Sequence, residues 1–482
     1  MLKLLQKIQQ YQFFDTLKHT FNYFGAVLVI QGLSIVSLPI YTHYLDPASF
    51  AVVDAFMKVI SVLTILFTLN THNAISRYYF EDKKDWQAFL GTSFVTAFSI
   101  FGFSSIILFF FKEQLLYYTT IPESLFVWIF PVVLANIVFA VFNQLFIARK
   151  ESKKVSIGKI AFSYLRFIGA VTLLIYLGTS PAEERVVGDA IGSILIGLLM
   201  FASIFPYIKW TFIRAHLDYI LRFSIPLIPY ALSAFIINYF DFFMINFSEG
   251  NSDAGLYSFA YKIGLLFFGL DDALQSAAKV DFFKWMNAGQ YDKIRTQVKS
   301  IFKFEMLGAL FLIFFAYELG TLLSSKASFT EALHLVPILV MGYVFFALYQ
   351  FYGRMIYYSK KTIYVSSVTV IAGLINIVLN AIFIPKYGYE AAAVTTVISY
   401  VLMIFFAWFV VVKILALPST TDFWFTLKHL IGLLTFLAIG YWIMSLGLGF
   451  WWPILIKLGL FGIFSLIVFW DKIISLLSSK EA

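Results

Sequence analysis

Four basic side chains interrupt stretches that are otherwise apolar: Lys58, Arg166, Lys262 and Lys457. An ionisable group at the centre of a membrane costs about 2.5–3.5 kcal/mol even on lenient insertion scales, so each of them calls for a reason. Lys58 lies ten residues beyond Ala48, roughly 15 Å along a helix axis and close to a bilayer midplane. Lys262 holds the matching place in the second half of the chain, and Arg166 lies halfway along its own apolar run. Three cations at that depth suit an anion such as a phosphate or pyrophosphate, which lysine and arginine bind strongly. Arg77 and Lys279, at the inner ends of the runs that carry Lys58 and Lys262, complete the candidate substrate-binding set. Lys457, beside Trp451, Trp452 and Pro453, reads instead as an interfacial residue that snorkels.

The acids invite two readings. Asp54 precedes Lys58 by four residues and shares its helix face, so the two form either part of a site or an ion pair that only locks the helix. Asp54, Asp241, Asp271 and Asp272 are candidates for carrying a coupling proton or sodium ion. The alternative is that they are counter-ions to Lys58, Lys262 or Arg77. Lys262 has no acidic residue four positions away on either side. Asn70, Thr71, His72 and Asn73 close one run with a polar cluster, in which His72 reads as a hydrogen-bonded residue rather than a proton switch. Pro39, Pro226 and Pro229 interrupt two runs and would bend them, either as gates or as static kinks.

Nothing points to an enzyme. The six histidines lack metal-ligand spacing, and no Gly-rich phosphate loop or hydrolytic triad is present. The absence of cysteine excludes disulfides and thiolate metal sites. No cofactor and no metal is expected.

The elements that hold these residues are membrane helices. With 61% hydrophobic residues, 13% charged residues and a mean hydropathy of +0.85, the chain reads as an all-α polytopic membrane protein. Its +8 net charge is spread over alternate loops rather than one patch, so nucleic acid is not an expected partner. Residues 1–21 mix Leu, Ile and Phe with Lys3, Lys7 and Lys18. They read as a cytoplasmic amphipathic segment on the membrane surface, not a signal peptide.

About fourteen spans are expected. The first seven cover 22–41, 50–71, 87–111, 124–148, 155–178, 187–208 and 219–247. The others cover 254–278, 297–323, 331–358, 362–384, 390–412, 423–446 and 450–470. Of the Lys and Arg residues, 27 fall in the N-terminal segment and in the even-numbered loops with the span ends beside them, and only Lys112, Arg185, Lys326 and Lys386 in the odd-numbered ones. The positive-inside rule then places both termini in the cytoplasm. The outer loops are all short, which disfavours a glycosyltransferase or ligase that holds its acceptor in an outer domain.

An internal repeat links residue n to n + 204 through n + 207. Lys58 falls on Lys262, Pro131 on Pro337, Gln144 on Gln350, and Ser152-Lys153-Lys154 on Ser359-Lys360-Lys361. Its period covers six helices, so the two copies relate by an axis along the membrane normal. The expected parts are an N-lobe over 22–213, a C-lobe over 214–415, and two further helices with a cytoplasmic tail over 416–482. Repeat-related midplane residues would face each other across the lobe interface.

The segment LPIYTHYLDPASFAVVDAF, Leu38 to Phe56, resembles the opening of Wzx-type polysaccharide flippases of the multidrug/oligosaccharidyl-lipid/polysaccharide (MOP) exporter superfamily. Asn73 to Tyr79 is similar to that family's segment after helix 2, and Gly255-Leu256-Tyr257-Ser258 to its G-x-Y-s motif. His43 stands where Arg is common, and Ala51 where Gly is usual. The resemblance implies movement of a polyprenyl-pyrophosphate-linked oligosaccharide from the inner to the outer leaflet of a bacterial cytoplasmic membrane, by alternating access around a cationic cavity. The last two helices would accommodate the lipid tail. Membrane lipids, a polysaccharide polymerase and a chain-length regulator are the implied partners, in O-antigen, lipopolysaccharide or exopolysaccharide synthesis. The alternatives are a lipid II flippase, a cation-coupled drug exporter and a membrane enzyme of polysaccharide assembly.

Overall fold

The computed structural model describes residues 22, 25–81, 85–361, 363–445 and 451–478, and among these every regular element is helical. The amphipathic segment expected over 1–21 lies outside the described residues. Among the described residues ten helices are long and apolar enough to cross a membrane, or eleven when one bent pair counts as a span. The chain is a multi-pass membrane protein. It divides into two compact units, Met1–Gly255 with Leu323–Lys326, and Leu256–Leu322 with Ala327–Ala482.

The first unit begins with α1 (Gly25–Tyr44), tied near its start by Asn22, whose side chain donates to Ser152. Helix α2 (Pro47–Thr68) starts where its sequence dictates. Asp46 caps it, accepting from the Ser49 amide at 2.7 Å, and Pro47 fills the first turn, where no amide proton is needed. It stops at Leu69 and Asn70, both left-handed with φ 45° and 55°. The polar cluster at 70–73 is thus a turn leading into α3 (Asn73–Glu81). Next come α4 (Trp86–Phe110), the short α5 (Lys112–Thr119), α6 (Glu123–Ala148), α7 (Ser152–Tyr176) and α8 (Pro181–Ile204). A core of Phe89, Phe94, Phe142, Phe146 and Ile204 packs α4, α6 and α8 together.

Helices α7 and α8 approach backbone to backbone. A Cβ on Gly188 would stand 2.2 Å from the Gly169 carbonyl oxygen, and one on Gly192 2.3 Å from that of Leu165. Gly188 and Gly192 form the small-xxx-small spacing that lets membrane helices touch. Pro226 sits in a 3₁₀ turn, Ile225–Leu227, that separates α9 (Arg214–Ser224) from α10 (Ile228–Ser248), and Pro229 lies in the first turn of α10. Pro39 lies within α1, where its carbonyl accepts from Ser325 Oγ at 2.9 Å.

The second unit is built on α11 (Asn251–Asn287), 37 residues without a break, whereas its repeat mate is interrupted between α2 and α3. Helix α12 (Tyr291–Phe314) bends by 65° into α13 (Ala316–Leu323). A 3₁₀ stretch, Ala327–Leu335, then leads into α14 (Val336–Tyr358). Helix α15 (Ile363–Phe409) is two arms joined at Gly388, whose φ of 66° and ψ of −157° only glycine adopts readily. The arms fold back on each other: Asn376 donates to Ser399 at 3.2 Å, and Thr395 donates to Asn380. Helices α16 (Phe423–Ser445) and α17 (Trp451–Ser478) complete the unit.

Candidate functional site

In the first unit, α2 presents Lys58 to the ring of Phe242 on α10, 3.8 Å from its centroid, with Tyr239 at 5.8 Å. Lys58 Nζ also donates to Asp54 Oδ2 at 2.7 Å, with both side chains nearly buried. The i, i+4 pair read from the sequence is formed. Asp241, on the α10 face nearby, is 1% exposed and accepts from the Phe242 amide.

Arg166 grips a partner that the sequence reading missed. Its Nε and Nη2 donate to both oxygens of Asp189 on α8 at 2.8–3.1 Å, a bidentate fork. The glycines on either side of Asp189 in chain order, Gly188 and Gly192, allow the close approach that makes this fork short. Nη2 also reaches Met57 Sδ at 3.4 Å, so Arg166 lies beside the residue that precedes Lys58. Two cations, each with a carboxylate partner, thus contact α2 or lie on it: Lys58 turns to α10, and Arg166 of α7 reaches Met57. A cation buried here without a counter-ion would be costly, and the pairs remove that cost. A flanking Gly-Asp-x-x-Gly pattern was the available cue for Asp189.

The remaining candidates disperse. Arg77 is exposed on α3 and pairs with Glu81 at 2.7 Å. Hydrogen bonds from Tyr219 and Arg77 hold the Glu81 carboxyl below its ordinary range. Burial pushes His72, in the turn after α2, down to about 4, and its Nδ1 has no hydrogen-bond partner. It is neutral at physiological pH. In the second unit Lys262 is half-buried on α11, while Lys279 and Asp272 are exposed.

Asp271 is buried and belongs to a group the sequence did not reveal. Gln350 of α14 donates to its Oδ2, Gln275 donates to Glu305 Oε1 of α12 at 3.1 Å, and Arg354 of α14 lies alongside. Arg354 falls inside α14, near the end of the span expected over 331–358. Gln350 and its repeat mate Gln144 do similar work: Gln144 donates to Asn73 at 3.1 Å, tying α6 to the start of α3.

Lys457 corrects the snorkelling expectation. It is 1% exposed and donates to Glu318 Oε1 at 2.7 Å, because the bend between α12 and α13 brings a carboxylate to α17. A cavity of about 270 Å³ opens beside the pair, lined also by Tyr317, Thr330 and His334. A second, of about 420 Å³, lies among α12, α16 and α17, with Lys303, Lys428, His429 and Trp470 around apolar walls.

Among the described residues there is no group of histidine, cysteine or acidic side chains able to hold a metal ion. A bundle of membrane helices with internal sequence repetition and buried ion pairs defines the class of fold, and known proteins share it. The structure is similar to the lipid II flippase MurJ in an inward closed conformation, with a TM-score of 0.73 at 18% identity, covering 95% of this chain and 100% of that one. It is also similar to an inward-facing multidrug resistance MATE family transporter of the MOP superfamily, at 0.61 and 17%, covering 80% and 93%. A third likeness is to a MOP superfamily transporter from Pyrococcus furiosus, at 0.55 and 16%, covering 81% and 94%. At such identities the likeness establishes the fold. No curated protein matches the sequence. The family model described as "Polysaccharide biosynthesis protein" matches residues 16–270, more than half the chain, and the protein belongs to that family. Its fold is the one that this flippase and these MOP superfamily transporters share.

Proposed function

We propose that the protein is a flippase that moves a polyprenyl-pyrophosphate-linked oligosaccharide from the inner to the outer leaflet of a bacterial cytoplasmic membrane by alternating access. The observation that carries this reading is that two buried cations, Lys58 on α2 and Arg166 reaching Met57 of the same helix, lie inside the segment matched by the family model. An incoming pyrophosphate competes with Asp54 and Asp189 for cations already held at depth, so the site is neutral when empty and attractive to an anion when the pairs open. Lys262, the repeat mate of Lys58, and Arg77 and Lys279 at the inner ends supply further positive charge. The basic and apolar cavity beside α16 and α17 suits the polyprenyl chain and its phosphate end. Bending at Pro39, Pro226 and Pro229 serves the change of access.

The accompanying topology is fourteen spans with both ends of the chain in the cytoplasm. It is supported by the two arms of α15 and by the lengths of α11 and α16, 37 and 23 residues. Deleting the gene and identifying the lipid-linked glycan that accumulates on the inner leaflet tests the function. Complementation should restore export with the wild type and fail with Lys58→Ala or Arg166→Ala at matched membrane abundance. A second reading, lipid II as the substrate, has in its favour the MurJ likeness over 95% of the chain. Accumulation of a peptidoglycan precursor instead of a polysaccharide unit would select it.

A further inference from the structure

The Asp271 group holds more acceptor oxygen than its donors can satisfy. Asp271 is 1% exposed and Glu305 is fully buried, and the two carboxyl groups are close neighbours. Asp271 Oδ1, Glu305 Oε2 and Gln275 Oε1 are all buried without a partner. Gln275 is itself 6% exposed, and its amide nitrogen is spent on Glu305. Gln350 serves Asp271. Among the described residues Arg354, packed over Phe282 and Phe351, is the cation that acts on the group, and Asp272 is the neighbouring anion on α11. Arg354 neutralises one carboxylate and leaves the other uncompensated.

Two adjacent carboxylates cannot both stay ionised in a dry interior, because each raises the cost of charging the other. One proton removes the excess charge and turns one acceptor oxygen into the donor that its neighbour lacks. A sodium ion would need several more oxygens and would sit against the Arg354 guanidinium, so the geometry favours the proton.

We propose that Asp271 and Glu305 share one exchangeable proton, and that this proton is carried during the transport cycle. Uptake forms a carboxyl O–H bond with a proton from water, and release returns it to water with no redox change. Its carriage rests on the flippase reading; its binding does not.

The test is infrared difference spectroscopy of the full-length protein in lipid nanodiscs during a pH titration. The wild type should show a carboxylic-acid carbonyl band that shifts in D₂O and vanishes at alkaline pH. Glu305→Gln and Asp271→Asn should each abolish it. In a complemented null strain, Glu305→Gln should lower glycan export by about tenfold or more at unchanged membrane abundance, as loss of an intramembrane proton carrier does. Absence of a titrating band in the wild type, or its persistence in both variants, overturns the proposal. So does a titration that sodium displaces at fixed pH, which would make the group a sodium site. A wild-type gene that restores no glycan export defeats the flippase reading alone, and the infrared result stands apart from it.

Discussion

Lys58 and Asp54 are nearly buried at 2.7 Å, and removing one partner of such a pair strands the other charge. Lys58→Ala should therefore cost about 3–5 kcal/mol and lower membrane abundance, and Lys58→Ala with Asp54→Ala should recover it. The double variant then separates two roles. If Lys58 meets the anionic headgroup, the recovered protein exports poorly; export at the wild-type level would make the pair a lock and nothing more. His72 allows a separate test by acid. Its folded-state value of about 4 lies below the ordinary 6.5, so neither state pays above pH 6.5. Between those values the unfolded chain takes up a proton that the folded one refuses, and stability falls with pH by roughly 3 kcal/mol in all. Thermal midpoints at about pH 7.5 and about pH 4.5 should drop more for the wild type than for His72→Gln. Equal drops would show that other groups set the acid sensitivity. The Lys58–Asp54 pair was legible because its partners are four residues apart on one helix. Asp189, Glu305 and Glu318 were not, since each meets its partner from another helix and no local spacing marks it.

Helix contacts carry the same lesson. The fork between Arg166 and Asp189 depends on how near α7 comes to α8, and two glycines set that distance. Gly192→Ala would put a Cβ 2.3 Å from the Leu165 carbonyl oxygen and 2.7 Å from the Arg166 backbone. Backbone cannot yield as a side chain does, so the helices must part, at about 1–3 kcal/mol or more. Gly188→Ala meets the Gly169 carbonyl in the same way. Both variants should lose thermal stability in detergent and weaken any function that needs Arg166 in place. Gly32→Ala in α1, where a Cβ would meet nothing within 4 Å, should leave the midpoint within the scatter of surface substitutions. A Gly192→Ala protein as stable as Gly32→Ala would mean that the close approach is not maintained. Element ends were legible where chemistry is local, as at Asp46 and Pro47. The reversal at Gly388 was legible too, as the gap between the spans expected over 362–384 and 390–412, but the 65° bend between α12 and α13 was not, because one apolar run over 297–323 covers both.

Across the whole chain, the apolar runs foretold a multi-pass helical protein. The repeat was visible through Lys58 with Lys262 and Gln144 with Gln350, yet it hid a difference between its copies. The first copy breaks after Thr68 at two left-handed residues, whereas α11 runs on through Asn287. Charges along α11 also keep it from standing out by hydropathy, though its length of 37 residues is ample for a crossing. This is where a count of ten or eleven apolar helices and an expectation of fourteen crossings part company. The sidedness of the basic residues decides between them. Twenty-seven lie in the N-terminal segment and even-numbered loops and four in the odd-numbered ones. Omitting α11 as a crossing would invert every later loop and put the six basic residues of Lys279–Lys303 on the outer side, with Lys112 and Arg185. Reporter fusions after Ser180, Asn251 and Leu446 should therefore report outside, and fusions after Lys84, Lys293 and Ala482 inside. The pair at Asn251 and Lys293 is the sharp one, because only α11 and its immediate flanks lie between them. If both report the same side, α11 does not cross, and the Asp271 carboxyl lies outside the membrane core rather than within it.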